Sequence, residues 1–202
     1  MSEKFYIIVP TKNSILVGNL IESIKKQTYK KWNVIFVDYE SNKINIEYLR
    51  RICKNDTRFK IVKQNIFNFK IFGAMNQGLN YIGKNSLVLF WGGDDLCFSE
   101  TTFEEIIKIS NQIDNKKKLI ISSGNYIEKD SYRIKRKTFF VPFNTSLKNS
   151  LFKLLLFLGL TPPHQATIFS SSIFESNIRY KDKLTISADL DLFINLSKIN
   201  DI

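Results

Sequence analysis

The sequence has 202 residues, of which 44% are hydrophobic and 24% are charged. This length fits one domain, and this composition is typical of a globular protein, which excludes a disordered or fibrous chain. Lys and Arg outnumber Asp and Glu by 30 to 19, and the formal net charge is +11. Such a charge favours anionic partners, namely phosphorylated ligands, nucleic acid or an anionic membrane face, although a Lys-rich surface also serves solubility alone.

Targeting and redox signals indicate a cytoplasmic protein. The polar start at Met1–Lys4 does not resemble a secretory signal. No apolar run reaches the roughly 18 residues that are needed to span a membrane. Cys53 and Cys97 match no metal motif and do not make a disulfide framework, so we expect two reduced thiols.

Short apolar runs alternate with amphipathic segments through the first half of the chain. Strands are predicted over 5–9, 32–37, 59–62, 86–91 and 119–122, and helices over 15–27, 46–53, 71–81 and 103–113. Thr102 and Glu105 have capping-box spacing before the last of these helices. The alternation predicts βαβ units, an α/β fold and a mostly parallel sheet with helices on both faces.

The second half is less regular. Residues 132–141 carry four basic side chains, which Phe139 and Phe140 follow. The apolar stretch 147–160 is expected in the core, and the alternative is a membrane-surface element with Lys side chains near anionic headgroups. A strand is predicted over 166–169, and Ser187 is a candidate cap for a last helix over 188–199. The chain ends soon afterwards, so we expect a C-terminally truncated or minimal domain.

Polar clusters directly follow three of the predicted strands. These clusters are residues 11–13, Asp38 and residues 92–95. Because ligands bind at the carboxyl ends of the strands in parallel sheets, the three clusters are expected to converge on one edge. Taken singly, Asp38 is either a turn residue or a contact to a nucleobase or ribose. The segment 10–13 is likewise either a plain turn or a nucleotide contact.

Asp94 and Asp95 are adjacent carboxylates that follow two glycines. Like charges this close raise one another's pKa unless a cation neutralises them. Magnesium and manganese prefer oxygen ligands and often bridge to substrate phosphates, and the glycines would allow close backbone approach to a ligand. The alternative is that the pair caps the helix that follows.

Six segments, in this order, resemble motifs of family 2 glycosyltransferases of a bacterial polysaccharide branch. They are 7–13, 23–38, 76–80, 91–95, 163–166 and 186–193, and the resemblance extends from Phe5 to about Leu196. It implies a GT-A fold, that is, a Rossmann-like three-layer sandwich with a mostly parallel central sheet. It also implies a single domain, in which about 1–97 binds the nucleotide sugar and about 98–202 binds the acceptor.

The resemblance also implies roles for individual residues. Asp95 would bind Mn²⁺ or Mg²⁺, Asp94 would contact the ribose or sugar, and Asp189 would be the general base. The implied substrate-binding residues are Pro10, Thr11, Asn13, Asp38, Asn76, Asp94, His164, Gln165 and Asp191. Asp189 and Asp191 face about 200° apart on a helix, so only one can point into the site. The alternative for Asp189 is a first-turn residue that the helix dipole favours.

The implied function is metal-dependent, inverting hexosyl transfer in cell-surface polysaccharide synthesis. The donor would be a nucleoside diphosphate sugar, with UDP-sugar expected, and the acceptor a glycan or a lipid-linked glycan. Peripheral contact with the inner membrane is a further expectation. One departure from the family pattern is the segment Tyr39–Asn42, which lacks the family's glycine after Asp38. This departure puts the nucleobase specificity in question.

Two alternatives to a glycosyltransferase are a nucleotidyltransferase and an inactive nucleotide-sugar-binding relative. We do not expect nucleic-acid binding, because the basic residues are scattered.

Overall fold

The computed structural model describes residues 3–65, 70–113, 118–128, 131, 133–138, 148–181, 183–184 and 186–198. Its strands are β1 (Lys4–Thr11), β2 (Trp32–Asp38), β3 (Phe59–Lys63), β4 (Ser86–Phe90), β5 (Leu119–Ile121), β6 (Gly124–Ile127), β7 (Ile134–Thr138) and β8 (Thr167–Ser170). Its helices are α1 (Val17–Lys25), α2 (Lys43–Cys53), α3 (Lys70–Gly78), α4 (Thr102–Asn111), α5 (Lys148–Phe157), α6 (Ser171–Glu175) and α7 (Ala188–Leu196). Short 3-10 helices follow at Leu79–Tyr81 and His164–Ala166.

Six strands form the central sheet in the order β3-β2-β1-β4-β8-β5. The pairs β1–β2, β1–β4 and β2–β3 are parallel. Strand β8 is antiparallel to both of its neighbours, β4 and β5. The predicted mostly parallel sheet is therefore confirmed, with one reversed strand. A separate antiparallel hairpin pairs β6 with β7, and β7 lies within the basic segment 132–141.

Alternate residues of β1 face two different hydrophobic layers, because successive side chains of a strand point to opposite faces. Phe5 and Ile7 pack with residues of α1, α2 and α4. Tyr6 and Ile8 pack with residues of α3, α6 and α7. The sheet is thus covered on both faces, which confirms the predicted three-layer α/β sandwich.

Two predicted helix caps differ from the structure. The N-cap of α4 is Thr101 rather than Thr102, and the Thr101 hydroxyl donates to the Glu105 carboxylate over 2.6 Å. Thr102 instead accepts a hydrogen bond from the Ser99 amide, because the turn before α4 uses its hydroxyl. Ser187 does occupy the N-cap position of α7, but it has a left-handed φ of 64° and its side chain makes no capping bond.

Helix α5 is only partly a core element. Leu156 is buried, and Phe152 packs edge-on against Phe193 of α7. Phe157 and Leu158, however, are 86% and 61% exposed. The expected core location therefore holds for one face alone, since the end of the helix projects into solvent. Of the residues in the predicted segments, Tyr132, 139–141, Leu147 and Ile199 lie outside the described part of the chain.

Both cysteines are free thiols, as expected. Burial raises the pKa of Cys53 and of Cys97 to about 12, so neither is a reactive thiolate. No helix within the described ranges is both long enough and apolar enough to cross a membrane.

Candidate active site

The carboxyl ends of β1, β2 and β4 lie side by side at one edge of the sheet. In the strand register Thr11 pairs with Asp38, and the Tyr39 amide donates to the Thr11 carbonyl over 2.9 Å. The Trp91 amide donates to the Ile8 carbonyl over 3.0 Å. These contacts confirm that the polar segments after the three strands converge on a single edge.

A depression of about 320 Å³ opens at this edge. Its walls are the β1–α1 loop and the first residues after β4. The predicted site residues that line it are Pro10, Thr11, Asn13 and Asp94. The structure therefore brings the implied nucleoside pocket and one member of the acidic pair into the same depression.

Asn13 holds the two loops beside this depression together. Its amide donates to Ser41 Oγ over 2.8 Å, and its Oδ1 accepts from the Asn42 amide over 2.7 Å. Its φ of 51° lies in the left-handed region, which Asn tolerates better than most residues. Asn13 thus shapes the pocket through its side chain and through its backbone.

Asp38 closes the turn that follows β2. The carboxylate is 6% exposed and accepts hydrogen bonds from the Ser41 amide, over 3.2 Å, and from the Ser41 hydroxyl. Beside it, the Lys12 ammonium lies 4.5 Å from the centroid of the half-buried Tyr39 ring. The turn interpretation of Asp38 is confirmed, and its contact with a nucleobase stays a prediction.

The Asp95 carboxylate is poorly solvated because it is largely buried. Burial, with a smaller contribution from the charge of Asp94, raises its pKa from 3.8 to about 6. The Gly92 amide opposes this shift by donating to Asp95 Oδ2 over 2.6 Å. Asp94 is exposed. A nearby cation would relieve the repulsion and the poor solvation of the pair.

The two glycines before the acidic pair make room for side chains of the protein itself. A Cβ atom on Gly92 would lie 2.7 Å from Asp94 Oδ1, and one on Gly93 would lie 2.4 Å from Ser14 Oγ. Any larger residue at either position would therefore displace Asp94 or the β1–α1 loop. This crowding is a reason for glycine that the sequence pattern did not indicate.

The carboxylates at this edge fit a cation whose remaining ligands come from a bound substrate or from water. Within the described residues, no group of three or more His, Cys, Asp or Glu side chains is placed to hold a metal by itself. Magnesium commonly binds through one or two carboxylates and completes its shell with water and substrate phosphates. Asp95 with Asp94 suits that mode and does not suit a closed protein site.

His164 lies in the 3-10 helix directly before β8, within a buried aromatic cluster. Its ring stacks on Phe90 with centroids 5.6 Å apart, and its Nε2 lies 2.5 Å from Tyr180 Oη. Burial lowers the His164 pKa to about 4, and the charge of Asp189 makes a smaller contribution in the opposite direction. His164 is therefore neutral at physiological pH.

The two acidic residues at the start of α7 have different partners. Asp191 accepts from Lys181 Nζ over 2.5 Å and from Asn195 over 3.1 Å. Asp189 is half-buried and accepts from the Leu190 amide over 2.9 Å. The salt bridge occupies Asp191, whereas the charge of Asp189 is felt at His164. The two carboxylates therefore have different surroundings, and the expectation that only one of them points into the site stays a prediction.

Asn76 and Gln165 have structural contacts of their own. The Asn76 side chain bonds to both backbone groups of Tyr180: its Nδ2 donates to the carbonyl over 2.8 Å and its Oδ1 accepts from the amide over 3.0 Å. The Gln165 carbonyl accepts from the Trp91 indole over 2.7 Å, while the residue is exposed. Trp91 thus connects the acidic loop to the segment 163–166.

Tyr180 and Phe90 contact the candidate site residue His164, and reasoning from sequence missed both. Both are apolar or aromatic positions within buried segments, and no local pattern distinguishes them from core residues. Their importance follows only from their contacts with His164.

A mostly parallel sheet with an acidic Gly-Gly-Asp-Asp loop at its carboxyl edge is the arrangement of a GT-A glycosyltransferase. The chain belongs to Glycosyl transferase family 2, whose family model matches residues 6–176. A search of curated proteins found no significant match.

Several solved structures share the fold. TarS 1–349 from S. aureus, in complex with UDP-GlcNAc, has a TM-score of 0.67 and 20% identity over 94% of this chain and 52% of that one. Mannosyltransferase PcManGT from Pyrobaculum calidifontis, in complex with GDP-Man and Mn²⁺, has a TM-score of 0.62 and 13% identity over 95% and 51%. The chain spans about half the length of TarS 1–349 and of PcManGT, and 34% of the longer TarS chain.

A third structure of the same fold belongs to a different class. The 4-diphosphocytidyl-2C-methyl-D-erythritol synthase from Anaerococcus prevotii has a TM-score of 0.56 and 15% identity over 100% of this chain and 87% of that one. At these identities the likeness concerns the fold alone.

Proposed function

We propose that the protein transfers a sugar from a nucleoside diphosphate donor to a hydroxyl of a glycan or lipid-linked acceptor, with inversion at the anomeric carbon. One observation carries the proposal: Asp94 and Asp95 lie at the same sheet edge as Thr11 and Asp38, in a chain of a glycosyltransferase family. Residues 1–97 would bind the donor and residues 98–202 the acceptor. Hexosyl transfer in cell-surface polysaccharide synthesis is the corresponding role.

Asp95 is the proposed ligand of Mn²⁺ or Mg²⁺. When bound, the metal neutralises charge on the departing nucleoside diphosphate. The raised pKa of Asp95 supports this assignment, because a cation would stabilise the charged form that burial disfavours. Mn²⁺ is present in the PcManGT complex of the same fold.

A UDP-sugar is the proposed donor. TarS structures hold UDP and UDP-GlcNAc, and PcManGT holds GDP-Man. In this chain Pro10, Thr11 and Asn13 would line the nucleoside pocket, and Asp94 would contact the ribose or sugar. Asp38 would contact the base with a carboxylate that Ser41 already orients.

Asp189 is the proposed general base. The acceptor oxygen forms a bond to the anomeric carbon as its proton passes to the Asp189 carboxylate, and the bond to the leaving diphosphate oxygen breaks. Asp191 is already engaged in a salt bridge with Lys181, so its contribution would be to orient α7. Gln165 would contact the acceptor near His164.

The exposed end of α5 is the proposed contact with an anionic membrane that carries the acceptor. Phe157 and Leu158 are both exposed apolar side chains, and Lys153 is an exposed cation on the same helix. Apolar insertion together with cationic side chains is the usual basis of interfacial binding. We expect Phe157→Glu to reduce co-flotation with anionic vesicles and Ile44→Glu, at a 79% exposed position of α2, to leave it unchanged.

A thermal-shift screen of nucleoside diphosphate sugars, with and without Mn²⁺, tests the proposed function. One donor should raise the melting temperature only with metal, and Asp95→Asn should abolish that rise. Release of nucleoside diphosphate with an added acceptor then reports transfer. Pyrophosphate release from a nucleoside triphosphate and a sugar phosphate would instead indicate a nucleotidyltransferase. Donor binding without any turnover would indicate an inactive relative.

A further inference from the structure

His164 and Tyr180 form a buried hydrogen-bonded pair behind the acceptor side of the site. His164 is 9% exposed and Tyr180 is 3% exposed, and Nε2 lies 2.5 Å from Oη. Phe90 packs against both rings, with centroids 5.6 Å and 5.2 Å away. The His164 ring is thus held in one orientation by aromatic packing and by one hydrogen bond.

The direction of that hydrogen bond follows from the partners within reach. A buried phenol hydroxyl needs an acceptor for its proton. Among the described residues, His164 Nε2 is the hydrogen-bond partner of the Tyr180 hydroxyl. If Nε2 carried a proton and donated, the phenol proton would have no acceptor there. Tyr180 therefore donates, and Nε2 accepts with its lone pair.

Both rings are in the neutral state that this direction requires. Burial lowers the His164 pKa to about 4, and burial together with the charge of Asp189 raises the pKa of Tyr180 well above its usual value. A neutral imidazole has one N–H, and Nε2 has none when it accepts. The proton is accordingly on Nδ1.

We propose that Tyr180 locks His164 as the neutral Nδ1–H tautomer, so that His164 donates a hydrogen bond to an oxygen of the acceptor. His164 is then neither a general base nor a metal ligand, because neither role is open to a protonated Nδ1 and an occupied Nε2. The part that concerns the acceptor rests on the proposed function. The tautomer itself does not.

Asn76 is the residue that positions Tyr180. Its amide forms two hydrogen bonds with the Tyr180 backbone, and Phe72 of the same helix stacks on the Tyr180 ring at 5.5 Å. Helix α3 thereby fixes the phenol on which the tautomer depends. Asn76, which the family resemblance assigns to substrate binding, is on this basis a positioning residue.

Among the described residues, Asp189 is the charged group whose field acts on both members of this pair. Its charge acts on His164 and on Tyr180, while β4 and β8 present the aromatic rings of Phe90 and Phe169 to the imidazole. The proposed base therefore lies within electrostatic range of the proposed N–H donor. One accepts the proton of the attacking hydroxyl, and the other holds a neighbouring oxygen of the acceptor.

The test uses the fact that the chain has a single histidine. Long-range ¹H–¹⁵N NMR of protein labelled in histidine reports one ring only. At about pH 7 the wild-type spectrum should show a protonated Nδ1 and an unprotonated Nε2. A protonated Nε2, or a doubly protonated ring at that pH, would overturn the proposal without any variant.

Tyr180→Phe then tests the cause. Loss of a hydrogen bond to the neutral ring should raise the His164 pKa by roughly one pH unit and weaken the preference for Nδ1–H. Asn76→Ala should shift both observables in the same direction and by less. Tyr126→Phe, at a tyrosine that is 53% exposed, removes a hydroxyl without effect on the ring and is the matched control. An unchanged ring signal in Tyr180→Phe would contradict the proposal.

Turnover separates this inference from the proposed function. With a donor and acceptor in hand, Tyr180→Phe should lower kcat and leave the donor KM unchanged, because the donor binds at the other side of β4. If no donor is turned over, the proposed function fails, and the ring spectrum still decides the tautomer.

Discussion

Replacement of Asp95 by Asn removes a charge that the folded protein holds at a cost. Burial and the neighbouring Asp94 raise the Asp95 pKa from 3.8 to about 6. A folded-state pKa above the unfolded value means that the folded protein binds the proton more tightly. The contribution of Asp95 to the free energy of unfolding therefore falls as the pH rises from about 4 to about 6. At 1.36 kcal/mol per unit, a shift of about two units corresponds to about 3 kcal/mol near pH 7.

We expect Asp95→Asn to stabilise the metal-free protein near pH 7 by up to about 3 kcal/mol, since Asn can still accept from the Gly92 amide. For a chain of this size, that corresponds to a rise of roughly 6–12 °C in the melting temperature. The gain should shrink to below about 1 kcal/mol near pH 4, where wild-type Asp95 is protonated in the folded state. The same variant should lose all stabilisation by Mn²⁺ with UDP.

Calorimetry in EDTA at both pH values, and then with Mn²⁺ and UDP, measures these changes. Asp56→Asn is the matched control of opposite sign, because the Arg58 hydrogen bonds lower the Asp56 pKa. That variant should be less stable than the wild type near pH 7. If Asp95→Asn were also less stable in EDTA near pH 7, the carboxylate would not be poorly solvated, and the reasoning would be refuted.

Three further predictions concern the same edge of the sheet and α7. Asp189→Asn should leave the donor-induced thermal shift intact and abolish transfer, and unchanged turnover would exclude it as the base. Asn13→Ala should cost about 1–3 kcal/mol in urea unfolding, from left-handed strain and the lost bond to Asn42, whereas Asn13→Gly should cost only the bond. Gly93→Ala should lower the free energy of unfolding by about 1–3 kcal/mol, because the new methyl group would clash with Ser14. Adding Ser14→Gly to this variant removes the clash and should restore most of that stability. If the effects of the two substitutions simply added, the contact would be contradicted.

Local patterns predict most of the fold because each element carries its own periodicity. The apolar runs 5–9 and 86–91 are buried strands within a residue or two of their predicted ends. The place of β8 between β4 and β5 is different. Strand pairing depends on side-chain packing across the whole sheet, and the short run Thr167–Ser170 has no local feature that specifies its neighbours or its direction.

The site divides in the same way. Thr11, Asp38 and the acidic pair are predictable because the carboxyl ends of parallel strands meet at one edge. The bonds from Asn76 to the Tyr180 backbone join residues that are far apart in the chain. Such contacts depend on how α3 packs against the segment before α7, which no spacing in the sequence encodes.

Strand β8 is synthesised long after its neighbour β4, and this order affects the nascent chain on the ribosome. One edge of β4 is complete only when Thr167–Ser170 has been synthesised, long after Phe90. At bacterial and eukaryotic elongation speeds this interval is roughly 4–15 s. During this interval, one edge of β4 has unpaired backbone groups that can bind other chains. The strand itself consists of four apolar residues and Ser86. Strand β5, which emerges earlier, is the nearest wrong partner. Slower elongation ahead of β8 should therefore increase aggregation during synthesis, although the finished protein would be unchanged.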